Sequence, residues 1–182
     1  MEMQQRVSTL PDGRRLILRR AVPEDAEETI AFVQKIIGES DYLMLEPGEF
    51  RPSLGEQREL LERYARSDGH LYLIAEVDGE IVGILHFQPG KRNRNAHAGE
   101  FGMSVRKKFW GMSIGRLLLQ FLLQWARQTG KIRKINLRVR VDNDRAIRLY
   151  RSLGFQVEGT ITREFYIGGK FYDAHWMGIQ LD

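Results

Sequence analysis

The chain has 182 residues, 42% hydrophobic and 29% charged, so it is long enough for one packed core and too apolar for disorder. It carries a formal net charge of +4, which suits an anionic ligand, and no cysteine, which excludes thiol nucleophiles, disulfides and thiolate metal sites. The opening MEMQQRVSTLPDGRR holds no apolar signal core and no run reaches membrane-spanning length, so a cytoplasmic protein without membrane contact is expected.

Residues 13–22 (GRRLILRRAV) predict a first strand, with Leu16 and Leu18 on one face and Ile17 on the other. Pro23-Glu24-Asp25 then opens a helix whose apolar stripe is Ala26, Ile30, Val33 and Ile37, ended by Gly38. Residues 39–52 read as a loop carrying Glu39, Asp41, Glu46 and Glu49 among Tyr42, Leu43, Met44, Leu45 and Phe50. Ser53 with Glu56 three residues on predicts a capping box and a second helix to about Arg66. Residues 71–76 and 80–87 form a hairpin through Asp78-Gly79, and Gly83 marks a bulge or a close approach. Residues 91–95 (KRNRN) make a polar tip. Their cations lack an interleaved aromatic, so nucleic acid is not the expected partner. Residues 96–105 form the next strand.

Residues 105–130 (VRKKFWGMSIGRLLLQFLLQWARQTG) read as a strand end, a glycine-containing turn and a long amphipathic helix. Ile114, Leu117, Leu118, Phe121, Leu122 and Trp125 recur with helical spacing on one face, and Gly130 supplies a stop. A turn entering a helix presents unpaired amides and the positive end of the helix dipole, a setting for an anion such as pyrophosphate. Arg106, Lys107, Lys108 and Arg116 surround it with positive charge. A strand through Ile135, Leu137, Val139 and Val141 follows, then a polar turn and a short helix with Ala146, Ile147 and Tyr150. Residues 156–162, 164–167 and 171–179 complete the chain as strands, the last two joined by Gly168-Gly169.

Two motifs in this order resemble the GNAT superfamily of N-acetyltransferases. The family's pyrophosphate loop, Gln/Arg-x-x-Gly-x-Gly/Ala, is matched in part by residues 110–115. Gly115 fits, whereas Trp110 replaces the Gln or Arg and Ser113 the glycine. The second motif, Asn-x-x-Ala-x-x-Leu-Tyr-x-x-x-Gly-Phe, is matched in full by Asn143, Ala146, Leu149, Tyr150, Gly154 and Phe155. The Cβ of Ser113 opposes the left-handed backbone that glycine adopts freely, and Trp110 removes a charge that the neighbouring basic residues are expected to replace.

The resemblance implies a single domain over residues 1–182. Its fold would be α+β, a twisted mixed sheet opened in a V between its central strands and flanked by helices. It implies acetyl-CoA as co-substrate and no metal, and leaves open a homodimer of the kind many members form. The strand before the loop would splay from its neighbour and carry a bulge, and backbone groups of Met103, Ser104 and Val105 would bond the acyl-CoA arm. Gly111, Met112, Ser113, Ile114, Gly115 and Arg116 would hold the pyrophosphate, with Asn143 and Ala146 at the pantetheine. Tyr150 would be the general acid, since an ordinary phenol near 10 and a thiol lie within about two units. Glu100 is the natural base, directly or through a water, with water in a basic environment as the alternative. The acidic, aromatic loop 39–49 favours a small cationic amine as acceptor, with a protein N-terminal amine second. Arg138 and Arg140 share a strand face that could border the adenosine 3′-phosphate. His70, His86, His97 and His175 lack metal spacing and are expected to satisfy local hydrogen bonds. No G-x-S-x-G elbow supports a serine nucleophile. The rival from another class is a non-catalytic CoA-binding or regulatory module.

Overall fold

The computed structural model describes residues 5–182. Strands β1 (Gln5–Thr9) and β2 (Arg15–Arg20) form a hairpin at one edge, turned through Gly13 at φ 88°. Sequence reading missed β1. Its residues are exposed or half-exposed throughout, so no buried face marks it. Leu16 and Leu18 of β2 are buried in the core, as their alternation requires.

Helix α1 (Ala26–Ile37) begins after a one-turn 3-10 segment at Pro23–Asp25. Its buried stripe is Ala26, Thr29, Phe32, Ile36 and Ile37, rotated from the expected one, and Ile30 and Val33 are only half-buried. The rotation follows from Thr29, whose hydroxyl donates to the Ala26 carbonyl (3.0 Å) and accepts from Gln57 Nε2 (3.0 Å). A satisfied polar side chain can enter a core that hydropathy assigns to aliphatics. Helix α2 (Leu54–Arg66) carries the predicted capping box, with the Ser53 amide donating to Glu56 and the Glu56 amide to Ser53 Oγ.

Strands β3 (Leu71–Val77) and β4 (Glu80–Pro89) pair through Asp78-Gly79, both at positive φ. The register slips so that Ala75 faces Gly83 while Glu76 faces Ile81, a bulge beside Gly83. A Cβ at Gly83 would sit 3.3 Å from that of Ala75 and 3.4 Å from Leu118. Strand β5 (Ala98–Val105) pairs with β4 in unbroken register from Gly99↔Pro89 to Val105↔Gly83, so the expected bulge in β5 is absent and lies in β4 instead.

Helix α3 (Ile114–Thr129) buries Ile114, Leu118, Leu119, Phe121, Leu122, Leu123, Trp125 and Ala126, a broader face than predicted, and stops at left-handed Gly130. Each fully buried Leu or Phe stabilises by about 1.5–3 kcal/mol before entropy is counted, so this face anchors the helix firmly. Strand β6 (Lys134–Arg140), helix α4 (Asp144–Ser152), and strands β7 (Gln156–Ile167) and β8 (Lys170–Gln180) complete the chain. The two C-terminal segments expected before Gly168 merge into β7. A break at Arg163 (φ 54°), whose amide donates to Asp173 Oδ1 at 2.8 Å, absorbs the irregularity.

Among the described residues the strands form one sheet in the order β1-β2-β3-β4-β5-β6-β8-β7. All neighbours are antiparallel except β5 and β6, which pair only from Ala98↔Lys134 to Glu100↔Asn136. Beyond Glu100 the two strands separate, and this is the V. Helices α3 and α4 pack on one face with Leu85, Phe87, Phe101, Ile135, Leu137 and Val139. Helices α1 and α2 cover part of the other face, against Tyr72, Ile74, Ile81 and Ile84.

Candidate active site

The loop after β5 gathers unpaired backbone amides at the start of α3. Residues 107–109 make a single 3-10 turn, Gly111 turns at φ 82°, and Ser113 adopts φ 66°, ψ 9° before α3 begins. Ser113 is therefore left-handed despite its Cβ, at a cost of about 1–2 kcal/mol. The strain leaves the amides of Gly111, Ser113, Ile114, Gly115 and Arg116 without hydrogen-bond partners among the described residues. The Ser113 hydroxyl makes no cap bond either. The Met112 amide instead donates to the Phe109 carbonyl at 3.4 Å, and its side chain packs on the core. Gly115 lies against the sheet, where a Cβ would stand 3.4 Å from both Met103 Cε and Leu149 Cδ2. Met103 and Leu149 thus lock this helix start to β5 and α4.

Of the basic residues around Trp110, Arg106 and Lys108 are committed to carboxylates. Arg106 donates to Glu39 (2.7 Å) and Glu80 (3.0 Å), and Lys108 to Glu80 (3.0 Å). A further cation, Arg145, places its guanidinium 4.8 Å from the centroid of the Trp110 ring. The indole is fixed by donating to the Val105 carbonyl at 2.8 Å. Arg116 stands beside the loop and donates to Ser152 Oγ at 3.0 Å. Arg145 was legible only as an unassigned position between Asn143 and Ala146 in the second motif.

Backbone alternation assigns the free groups of β5. The Arg106 amide donates to the Val82 carbonyl, and the Gly90 amide to that of Ala98, so even-numbered residues of β5 point their backbone groups at β4. Ser104 is among them, so its backbone serves the β4 ladder rather than the V. Met103 and Val105 point the other way, past the last β5–β6 pair, and their amides have no strand partner there. The Val105 carbonyl is already taken by Trp110.

Tyr150 lies on the α3/α4 face. Its ring packs edge-on against Phe101 (5.9 Å) and Phe155 (6.0 Å), and its hydroxyl has no hydrogen-bond partner among the described residues. Burial pushes the phenol up to about 12. The near balance with a thiol is therefore lost. Against a thiol near 8.5, complete proton transfer would be uphill by about 5 kcal/mol. Asn143 caps α4, its Oδ1 accepting from the Ala146 amide at 3.3 Å, which places Tyr150 two turns on.

Glu100 occupies the opposite face. Phe101 and Met103 touch α4 and α3, so Glu100, Gly102 and Ser104 point toward the α1/α2 side. There Arg138 donates to Glu100 (3.1 Å) and Glu164 (2.8 Å), and both carboxylates hold the guanidinium firmly charged, Glu164 first. Arg140 is buried between the Tyr172 ring (3.8 Å) and the Tyr42 ring (4.8 Å), bonded to Asp142 and the Asp41 carbonyl. Both arginines thus lie on the face away from α3 and α4, Arg140 against the acidic loop and Arg138 between Glu100 and Glu164. Two of the loop's acids are already engaged, one within the loop and one outside it. Glu39 accepts from Arg106 and the Lys107 amide, and Glu49 from the Glu46 amide. Of the histidines, His70 bonds Ser67 and His175 bonds Thr160, as expected, but the side chains of His86 and His97 make no hydrogen bond among the described residues.

The site thus brings together a sheet split between β5 and β6, unpaired amides at the mouth of the split and a polar opposite face. Comparison with known proteins shows the family. The model of the acetyltransferase (GNAT) family matches residues 40–155, and the chain belongs to that family. The L-amino acid N-acetyltransferase AaaT of Escherichia coli (strain K12) is 31% identical over 116 residues, 64% of this chain and 72% of that protein. The crystal structure of a GNAT-family acetyltransferase from Streptococcus pneumoniae superposes with a TM-score of 0.89 at 33% identity, covering 92% of this chain and 99% of that one. That of yncA, a putative acetyltransferase from Salmonella typhimurium with its cofactor acetyl-CoA, shares the fold. It has a TM-score of 0.80 at 21% identity and covers 92% and 94%. The chain is an N-acetyltransferase with acetyl-CoA as co-substrate. Among the described residues no helix is long and apolar enough to cross a membrane.

Proposed function

We propose that the chain acetylates a small cationic amine, with a protein N-terminal amine as the second acceptor class. The observation that carries this is the acceptor face. Glu100 and Glu164 share the single guanidinium of Arg138, which leaves one negative charge uncompensated beside the V. A cation entering there gains what Arg138 cannot supply twice.

In this reading the amides of Gly111, Ser113, Ile114, Gly115 and Arg116 bind the donor's pyrophosphate, with Arg145 and the Ser113 hydroxyl alongside. The Met103 amide polarises the thioester carbonyl and stabilises the tetrahedral oxyanion. The Val105 amide and the segment of α4 held by Asn143 and Ala146 orient the pantetheine. Tyr150 donates a hydrogen bond to the sulfur as the C–S bond breaks. A phenol at about 12 does this without surrendering its proton beforehand.

Calorimetric titration with acetyl-CoA and a free-thiol assay against a panel of amines test the reading. Micromolar binding is expected, lost in Gly115→Glu, with thiol release from one amine class. Wild-type binding strength in a folded Gly115→Glu protein would sink the cradle assignment. Thiol release only with peptide N-termini would replace the small amine.

A further inference from the structure

His86 makes no side-chain hydrogen bond among the described residues, yet its position is closely set. It lies on β4 directly across from Gly102 of β5, on the face opposite α3 and α4. Its ring stacks on Tyr72 at 6.2 Å and 28°, and leans over Gly102. A Cβ at Gly102 would stand 2.6 Å from His86 Cε1 and 3.0 Å from Nε2, so the missing side chain is what lets the imidazole cross onto β5. This brings it beside Met103, where β5 has already parted from β6. The imidazole remains exposed to solvent. Glu100 lies two residues along the same face, about 7 Å by strand rise, with its carboxylate committed to Arg138.

We infer that His86, rather than Glu100, accepts the proton that the acceptor ammonium must lose before attack. The inference rests on the acetyl-transfer reading above. Neutral imidazole takes one proton from R–NH3+ and becomes imidazolium, later returning that proton to water. The amine nitrogen forms the C–N bond, the C–S bond breaks, and the second amine proton goes to the departing sulfur. Glu100 and Glu164 then attract the ammonium and Arg138 spaces them. Protein atoms crowded around the solvent-accessible ring partly desolvate it and lower the His86 imidazole from its ordinary value. The ionisable groups on the elements packed against it are Tyr72 of β3, Tyr64 of α2 and Glu100 of β5, and none of their charges sets its state. Above that lowered value the base is neutral and ready.

The test is the pH dependence of kcat/KM by thiol release for the wild type, His86→Gln, Gly102→Ala and Glu100→Gln. Two acceptors of different pKa are used, because a limb that moves with the acceptor belongs to the acceptor. The wild type should show a fixed acidic limb below about 6.5, the ordinary imidazole value. His86→Gln should lose that limb and fall about 100-fold. Gly102→Ala keeps the imidazole but pushes it off β5, and should lower the rate with the limb displaced. Glu100→Gln should keep the limb. A limb unchanged in folded His86→Gln, or one lost in Glu100→Gln, would overturn the assignment while leaving acetyl transfer intact. Thiol release from no amine by the wild type would overturn both.

Discussion

Replacing Tyr150 with phenylalanine separates catalysis from packing. The ring contributes edge-on contacts to Phe101 and Phe155, and the substitution keeps both. The hydroxyl has no protein partner, so removing it breaks no hydrogen bond, and stability at neutral pH should change by less than about 0.5 kcal/mol. If the hydroxyl donates to the leaving sulfur, turnover should fall about 10- to 1000-fold, or about 1.4–4 kcal/mol of barrier, with acetyl-CoA affinity little changed. The raised phenol adds a second signature. Its folded value lies above the ordinary value of 10, so its stabilising contribution is whole below pH 10 and is lost as pH rises through about 12. Two units correspond to about 2.7 kcal/mol, so the wild type should lose about that much against Tyr150→Phe across this window. Thermal unfolding of both proteins from pH 7 to 12, beside single-turnover thiol release, reads both quantities. Unchanged turnover would remove Tyr150 from the acid role. A neutral-pH loss above about 1.5 kcal/mol would show that the hydroxyl has a structural partner.

Arg145→Ala should weaken acetyl-CoA binding about 5- to 20-fold and flatten its salt dependence, because it removes the cation that stacks on Trp110 beside the cradle. An unchanged Kd in calorimetry would return the missing charge to another residue. Arg140→Ala should cost about 1–3 kcal/mol by denaturant unfolding and speed proteolysis of residues 39–52. The partner left behind, Asp142, is largely solvated, so the loss stays below that of a sealed ion pair. Protease resistance equal to wild type would show that the loop is held elsewhere.

The helix period of residues 114–125, the Asp78-Gly79 turn and the capping box at Ser53 are local chemistry, and each stood in the sequence as it stands in the fold. The motif from Asn143 to Phe155 also carried its geometry with it, because a cap and a short helix need no distant partner. What escaped depends on pairing across strands. That Glu100 and Tyr150 lie on opposite faces follows from period two only once β5 is set between β4 and β6. The crossing of His86 over Gly102 exists only in one register. Two residues that read as independent, a histidine and a glycine, make one feature because their sum of positions is fixed by the β4–β5 ladder. The β5 bulge failed for the opposite reason. Gly99 and Gly102 suggested a kink, but they are glycine to admit Phe87 and His86. The strain that the Ser113 Cβ adds to a left-handed turn is small beside the packing of α3, which holds it there.

Glu39 joins two parts of the molecule that have different tasks. It sits at the head of the acidic loop, yet its two oxygens are held by Arg106 and by the Lys107 amide at the root of the phosphate cradle. Whatever stiffens residues 106–116 also narrows the freedom of residue 39, and the reverse holds with equal force. Donor and acceptor sites so tied obey reciprocity: any factor by which one ligand sharpens affinity for the other must be returned in full.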